Sequence, residues 1–267
     1  MRVVLLGKGG SGKSTLAGLL CAELAGRGRR VLAFDADSVP GLGQVLGMDP
    51  TDDWFLAGRA VREAGGWTLT GGLAATVEEC ARVGPAGIRF LQMGNADASM
   101  KDFPFTAERS PGRRSGMVAF NTVVRSYDDE GGFVVVDLHG GTLQVASGMV
   151  GTRGVAMVVV EPFAKSVLTA RRFAGMGEWP AGVQFVAVAN KVTGSEDQRY
   201  LDDEMSRLGI EVWGSVPADR AVSTAEREGR ALVSLGGDGP ARRAVAALAD
   251  RLEQAALEPA TSTAAAP

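Results

Sequence analysis

Gly7-Lys8-Gly9-Gly10-Ser11-Gly12-Lys13-Ser14-Thr15 decides the fold of this chain. The stretch fits G-x-x-x-x-G-K-[ST], the spacing with which a loop wraps phosphate. Its glycines let consecutive backbone N–H groups point inward at phosphate oxygens. A helix opening at Lys13 adds the positive end of its dipole. Lys13 supplies a charge for the outer phosphates, and Ser14 offers a hydroxyl to Mg²⁺. The flanks agree with this reading. Arg2-Val3-Val4-Leu5-Leu6 is an apolar run suited to a buried parallel strand. Leu16, Leu19, Leu20 and Leu24 give helical spacing over Lys13–Arg27, and Gly26 and Gly28 close it. Val31–Phe34 is a second strand, so the three elements make a βαβ unit.

Outward from that unit, strands and helices alternate. The sequence predicts strands over Ile88–Met93, Phe133–Asp137, Val155–Val160, Val183–Ala189 and Glu211–Trp213. It predicts helices over Asp52–Ala64, Met117–Tyr127, Lys165–Ala174, Glu196–Leu208, Asp219–Glu228 and Pro240–Ala256. Residues 68–84 have room for a short strand and a helix, and residues 94–115 read as an irregular loop. The expectation is an α/β fold: one P-loop domain over residues 1–256, a mainly parallel sheet with helices on both faces, and a disordered tail over 257–267. No repeat or linker divides it. Ligands on such sheets bind at the carboxyl ends of strands, where Gly7, Asp37, Asp137 and Asn190 all fall.

Composition narrows the function. The 267 residues are 45% hydrophobic, enough for a full core, and the formal charge is −3. That balance lacks the basic excess of a nucleic-acid-binding chain. No run of apolar residues is long enough to span a membrane. The N-terminus enters the first strand without a secretory signal, so a cytoplasmic protein is expected. Cys21, Cys80 and His139 are the only residues of their kinds. They are too few for a disulfide scaffold or for a soft-ligand metal site within one chain, although one shared across a dimer stays open.

Asp35 and Asp37 end the second strand beside the phosphate loop. Hydrolysis needs a carboxylate near the γ-phosphate to orient water, and Mg²⁺ needs oxygen ligands nearby. Asp137 ends the valine run 134–136 and reads as a Walker B aspartate holding Mg²⁺ through water. Leu138-His139-Gly140-Gly141 follows it, a glycine turn able to respond to the γ-phosphate. For Asp35, Asp37 and Asn190 the residues alone leave a strand-end cap as the alternative.

With Lys8, the loop resembles the deviant Walker A class and its G-K-G-G-x-G-K-[ST] signature. That class includes MinD and ParA, the nitrogenase iron protein and the CooC nickel-insertion ATPases. The resemblance implies ATP and Mg²⁺ as cofactors and a homodimer on ATP binding, in which Lys8 reaches the partner's phosphates. It implies that Asp37 positions the attacking water, with Lys8 and Lys13 as the catalytic cations. Ser14, Asp35 and Asp137 are implied on the Mg²⁺ side. Gly7, Lys8, Gly9, Gly10, Ser11, Gly12, Lys13, Ser14 and Thr15 are implied to hold phosphate. Asn190 is implied to hydrogen-bond adenine, and Pro217 and Asp219 of Val216-Pro217-Ala218-Asp219 to form a second base-contacting loop.

The CooC group is the most similar part of the class. Val158-Val159-Val160-Glu161-Pro162, followed by Ser166, Thr169, Ala170, Arg171 and Arg172, is similar to its post-switch segment. The likeness spans most of residues 1–250. One departure matters. With Asn121 matched, the group's C-x-C metal motif falls at Gly116 and Val118, which cannot ligate a metal. Cys21 and Cys80 do not fall where the iron protein has its cluster cysteines. Nickel insertion and electron transfer are therefore disfavoured, and the Arg109–Arg114 region stands as a candidate docking loop for an acidic partner. The expectation is a Mg²⁺-dependent ATP-hydrolysing switch acting on an unidentified client protein as a maturation or accessory factor. The alternatives are a ParA- or MinD-like positioning ATPase on DNA or membrane, and a non-hydrolysing scaffold. Charge and the absence of a basic amphipathic tail disfavour the first; Asp37, Asp137 and both lysines disfavour the second.

Overall fold

A computed structural model describes residues 1–37, 40–49, 51, 55–93, 111–235 and 237–257. The first strand, β1 (Arg2–Gly7), leads through the phosphate loop into α1 (Lys13–Gly26) and β2 (Val31–Ala36). There follow α2 (Leu42–Val45), β3 (Ala60–Glu63), β4 (Gly66–Leu69), α3 (Gly72–Cys80), β5 (Arg82–Val83) and β6 (Arg89–Gln92). Then come α4 (Pro111–Ser126), β7 (Phe133–Leu138), α5 (Leu143–Ala146), β8 (Arg153–Val160) and α6 (Ala164–Ala174). The chain closes with β9 (Gly182–Val192), α7 (Ser195–Arg207), β10 (Glu211–Pro217), α8 (Arg220–Arg227) and α9 (Pro240–Leu257).

The main sheet has eight strands in the order β10-β9-β8-β1-β7-β2-β6-β5. Every pairing in it is parallel except β5 with β6. The expected α/β architecture, with helices on both faces, is the observed one. Side chains alternate across the strands, which is why the buried runs are apolar throughout. Val3 and Leu5 pack with Leu16 and Leu20 of α1 and Val245 and Leu252 of α9. Val4 and Leu6 face the other way, onto Phe120 of α4, Phe173 of α6 and Leu201 of α7. Each such fully buried aliphatic side chain contributes about 1.5–3 kcal/mol. β1 lies in the middle of this sandwich, so the loop that leaves it is anchored by the best-packed part of the molecule.

Three local expectations are corrected. The helix expected over 52–64 is not there: residues 52–54 lie outside the described ones, and β3 and β4 form an antiparallel hairpin with Glu63 opposite Gly66. The Ala64-Gly65-Gly66 run breaks any helix, and Trp67 and Thr68 suit a strand. The helix expected from Met117 begins at Pro111, because proline is well suited to a first helical turn. Gly116 therefore joins Val118 on α4. The rest of the expected loop, 94–110, lies outside the described residues, as do Arg109 and the tail 258–267. The last strand runs on from Trp213 to Pro217.

Candidate functional site

Four strand ends converge on one cleft. Gly12 precedes α1 at φ 92° with no side-chain cap, so the first N–H groups of the helix stay open to an anion. A side chain there would be strained by the backbone, and its Cβ would sit 2.4 Å from the Asn190 amide nitrogen. Lys13 is buried and folds back along the loop, its Nζ donating to the Lys8 carbonyl at 3.3 Å. Lys8 is partly exposed and, among the described residues, donates to its neighbour, the Gly9 carbonyl, at 3.2 Å.

Beneath the loop lies Asp137, at the end of β7. It is 1% exposed, and among the described residues neither carboxylate oxygen has a hydrogen-bond partner. Burial pushes its carboxyl above the usual range, and the nearby Ser14 hydroxyl and Lys13 charge offset part of that. Asp35 sits opposite Asp137 in the β2–β7 register and is wholly buried. Burial and the Asp137 charge push its carboxyl up too. Its oxygens are engaged, accepting the N–H groups of Asp37 at 3.1 Å and Leu42 at 2.9 Å. Asp35 thus shapes the turn that carries Asp37, whereas Asp137 presents unpartnered oxygens. A buried carboxylate without donors beside a hydroxyl suits a hydrated Mg²⁺, which binds through one or two protein oxygens plus phosphate.

Asp37 is partly exposed on the cleft wall, 3.8 Å from His139 Nε2. The His139 backbone N–H donates to Gln144 Oε1 at 2.7 Å, and Gln144 Nε2 donates to the Ala36 carbonyl at 2.8 Å. Gln144 so ties the glycine turn after β7 to the end of β2. Gly140 lies against the phosphate loop: a Cβ there would be 2.8 Å from the Gly9 nitrogen.

On the other side, Asn190 Nδ2 donates to the Ser11 carbonyl at 2.7 Å. Lys191 Nζ reaches the Gly10 carbonyl at 2.7 Å and Glu161 at 3.0 Å. The cleft continues past Thr15 into a pocket of about 650 Å³ walled by Leu16, Leu19, Val216, Pro217 and Val222. That is room for a nucleoside, with apolar walls for a ring. Asp219 is there as the cap of α8, accepting from Ala221 at 2.8 Å, and also accepts the Ala241 N–H of α9 at 3.2 Å. Thr15 donates its hydroxyl to Glu226 of α8. A second hollow of about 370 Å³ shares the Leu19 wall but contains no phosphate-loop residue.

The sequence profile of the CobQ/CobB/MinD/ParA nucleotide binding domain matches residues 3–233. The chain belongs to that family. Among individual proteins it is 26% identical over 249 residues to the carbon monoxide dehydrogenase accessory protein CooC of Rhodospirillum rubrum, covering 86% of this chain and 88% of CooC. It is 25% identical over 255 residues to an uncharacterized ATP-binding protein of Methanocaldococcus jannaschii, covering 94% and 87%. Its fold is similar to that of the septum site-determining protein MinD of Pyrococcus horikoshii, solved with Mg-ADP. There the TM-score is 0.66 at 19% identity, over 96% of this chain and 97% of that one.

In this member of the CobQ/CobB/MinD/ParA family, the cleft is lined by the phosphate-loop residues Gly9, Gly10 and Gly12–Thr15 together with Asp37, Asn190, Pro217 and Asp219, while Arg109 of the candidate docking loop lies outside the described residues. Sequence reading placed Glu161, Lys191 and Glu226 only within family-like stretches, gave none of them a contact, and did not reach Gln144 at all. Each acts through a partner more than a hundred residues away or on another strand, so no spacing marks it. Cys21 lies on the buried face of α1, where burial pushes its thiol far up; Cys80 ends α3 in the opposite core layer.

Proposed function

We propose that this chain binds and hydrolyses ATP with Mg²⁺, as a homodimeric switch serving a client protein as an accessory or maturation factor. The observation that carries it is Asp137: a buried carboxylate without a hydrogen-bond partner among the described residues, next to Lys13 and Ser14, which line a cleft with room for a nucleoside. Ser14 and Asp137 would hold the metal, and Asp35 supports the turn beside them. Mg²⁺, when bound, supplies neutralising charge at the β- and γ-phosphates. The loop N–H groups and Lys13 hold the phosphates. Asp37 orients a water for in-line attack on the γ-phosphorus; the bond to the β–γ bridging oxygen breaks, giving ADP and phosphate. The walls around Leu19 and Pro217 take the base. Asn190 fixes the loop through the Ser11 carbonyl and would offer its side-chain oxygen to adenine, while Asp219 holds the base-side helices in place.

The client role rests on the likeness to the accessory protein CooC, and the client differs from a nickel centre fed through a C-x-C motif, which this chain lacks at Gly116 and Val118. The test is a phosphate-release assay with Mg²⁺ on the wild type and Asp37→Ala. Turnover should fall by about 10²-fold or more in the variant while ATP still binds. Equal, negligible rates in both would sink the enzymatic reading.

A further inference from the structure

Lys191 stands out on backbone and side chain together. Its φ is 57°, and among the described residues only Ala86 shares a left-handed φ without being glycine. Such a conformation costs about 1–2 kcal/mol and persists only where the surroundings hold it. What holds it is double. Its Nζ donates to the Gly10 carbonyl at 2.7 Å and pairs with Glu161 at 3.0 Å. Glu161 follows β8, and its side chain is 9% exposed, so its charge needs a partner. Its own backbone is fixed, its N–H donating to Ser166 Oγ at 3.0 Å.

The carbonyl that Lys191 holds is the informative part. Gly10 C=O and Ser11 N–H belong to one peptide plane, and the N–H end of that plane is held by the Lys8 carbonyl at 3.2 Å. The next carbonyl, of Ser11, is held by Asn190. Two successive carbonyls of the phosphate loop are therefore turned outward by adjacent residues of β9. A loop that presents N–H groups to an anion must keep its carbonyls away from it. A flip of the Gly10–Ser11 peptide, easy at glycine, would set an oxygen dipole against the phosphates.

We propose that Lys191, oriented by Glu161, is a positioning residue that locks the phosphate loop in its anion-accepting form. This rests on the nucleotide-binding reading and adds to it a pair that bridges β8, β9 and the loop. The pair acts on the loop backbone, so its loss should weaken phosphate binding and spare the base pocket.

The experiment is calorimetric titration of the full chain with Mg-ADP and, separately, with adenosine. The variants are Lys191→Ala, Lys191→Arg, Glu161→Gln and the double variant Lys191→Ala/Glu161→Gln, each checked for folding by thermal melting. The double variant removes both charges, so it stays folded if Lys191→Ala alone, with a buried unpaired carboxylate, does not. Mg-ADP affinity should fall about tenfold or more in Lys191→Ala and in the double variant. It should return to within about threefold of wild type in Lys191→Arg, which keeps the charge and the donor. Glu161→Gln should weaken Mg-ADP binding, because Lys191 is released to solvent, and adenosine affinity should hold throughout. No Mg-ADP binding by the wild type overturns the nucleotide reading itself. Wild-type binding that the folded double variant retains in full overturns the positioning role alone. So does a rise in affinity for Glu161→Gln, or a parallel loss of adenosine binding.

Discussion

Single residues set the phosphate loop, and Gly12 tests this most directly. At φ 92° with Asn190 2.4 Å from a prospective Cβ, it is under two constraints that alanine cannot meet together. Gly12→Ala should lose about 1–3 kcal/mol of stability in urea melts. It should also weaken Mg-ADP binding by at least about tenfold, because the Asn190 amide that holds Ser11 must move. Wild-type affinity in that variant would show that the loop tolerates a side chain at its turn. This residue was legible in the sequence, since the whole motif lies within one short stretch and its chemistry is local. Lys191 was legible only as a strand-end lysine. Its partners, Gly10 and Glu161, are 181 and 30 residues away, and only the folded sheet makes them neighbours.

Elements carry the next level, and here Asp219 joins two of them. One oxygen caps α8 through Ala221, and the other accepts from Ala241 at the start of α9. Removing both acceptors should cost more than the loss of one ordinary cap, which is about 1 kcal/mol. Asp219→Ala is therefore expected to lose about 2 kcal/mol in thermal or urea melts, and Asp219→Asn, which keeps one acceptor, about half of that. A stability unchanged in both variants, with adenosine binding lost, would make Asp219 a base contact and nothing more. The strands were legible for a physical reason. β1, β2, β7, β8 and β9 are buried on both faces, so their sequences are continuous apolar runs. The β3–β4 hairpin is mostly exposed, and its residues 60–69 carry no such pattern, which is how a helix came to be expected there. The start of α4 was missed because Pro111-Gly112 reads as a loop when no packing partner is in view.

At the scale of the whole molecule, the question is what covers the cleft. The carboxyl ends of β1, β7 and β8 lie side by side at the centre of the sheet. Just beyond them the chain shows Lys8, whose ammonium meets the Gly9 carbonyl and no other acceptor among the described residues, Leu143 at 82% exposure and Phe163 at 64%. Two exposed apolar side chains and a lysine would suit the proposed ATP-dependent contact between two copies, in which bound anions accept the lysine's charge. A second copy related by a two-fold axis would bring the same three residues to the same cleft, and self-complementarity is the usual form of such contacts. The prediction uses Asp37→Ala to keep ATP intact. With Mg-ATP that variant should sediment as a dimer, and with Mg-ADP as a monomer. Adding Lys8→Ala should leave it monomeric in both. Adding Phe163→Asp should weaken the ATP dimer by about thirtyfold or more, the effect of losing an interface residue worth at least about 2 kcal/mol, while Mg-ADP affinity of the monomer stays as it was. Sedimentation equilibrium reads all three. A dimer that persists in the Lys8→Ala background would remove the cross-subunit role of this lysine. A dimer unaffected by Phe163→Asp would place the interface elsewhere on the molecule.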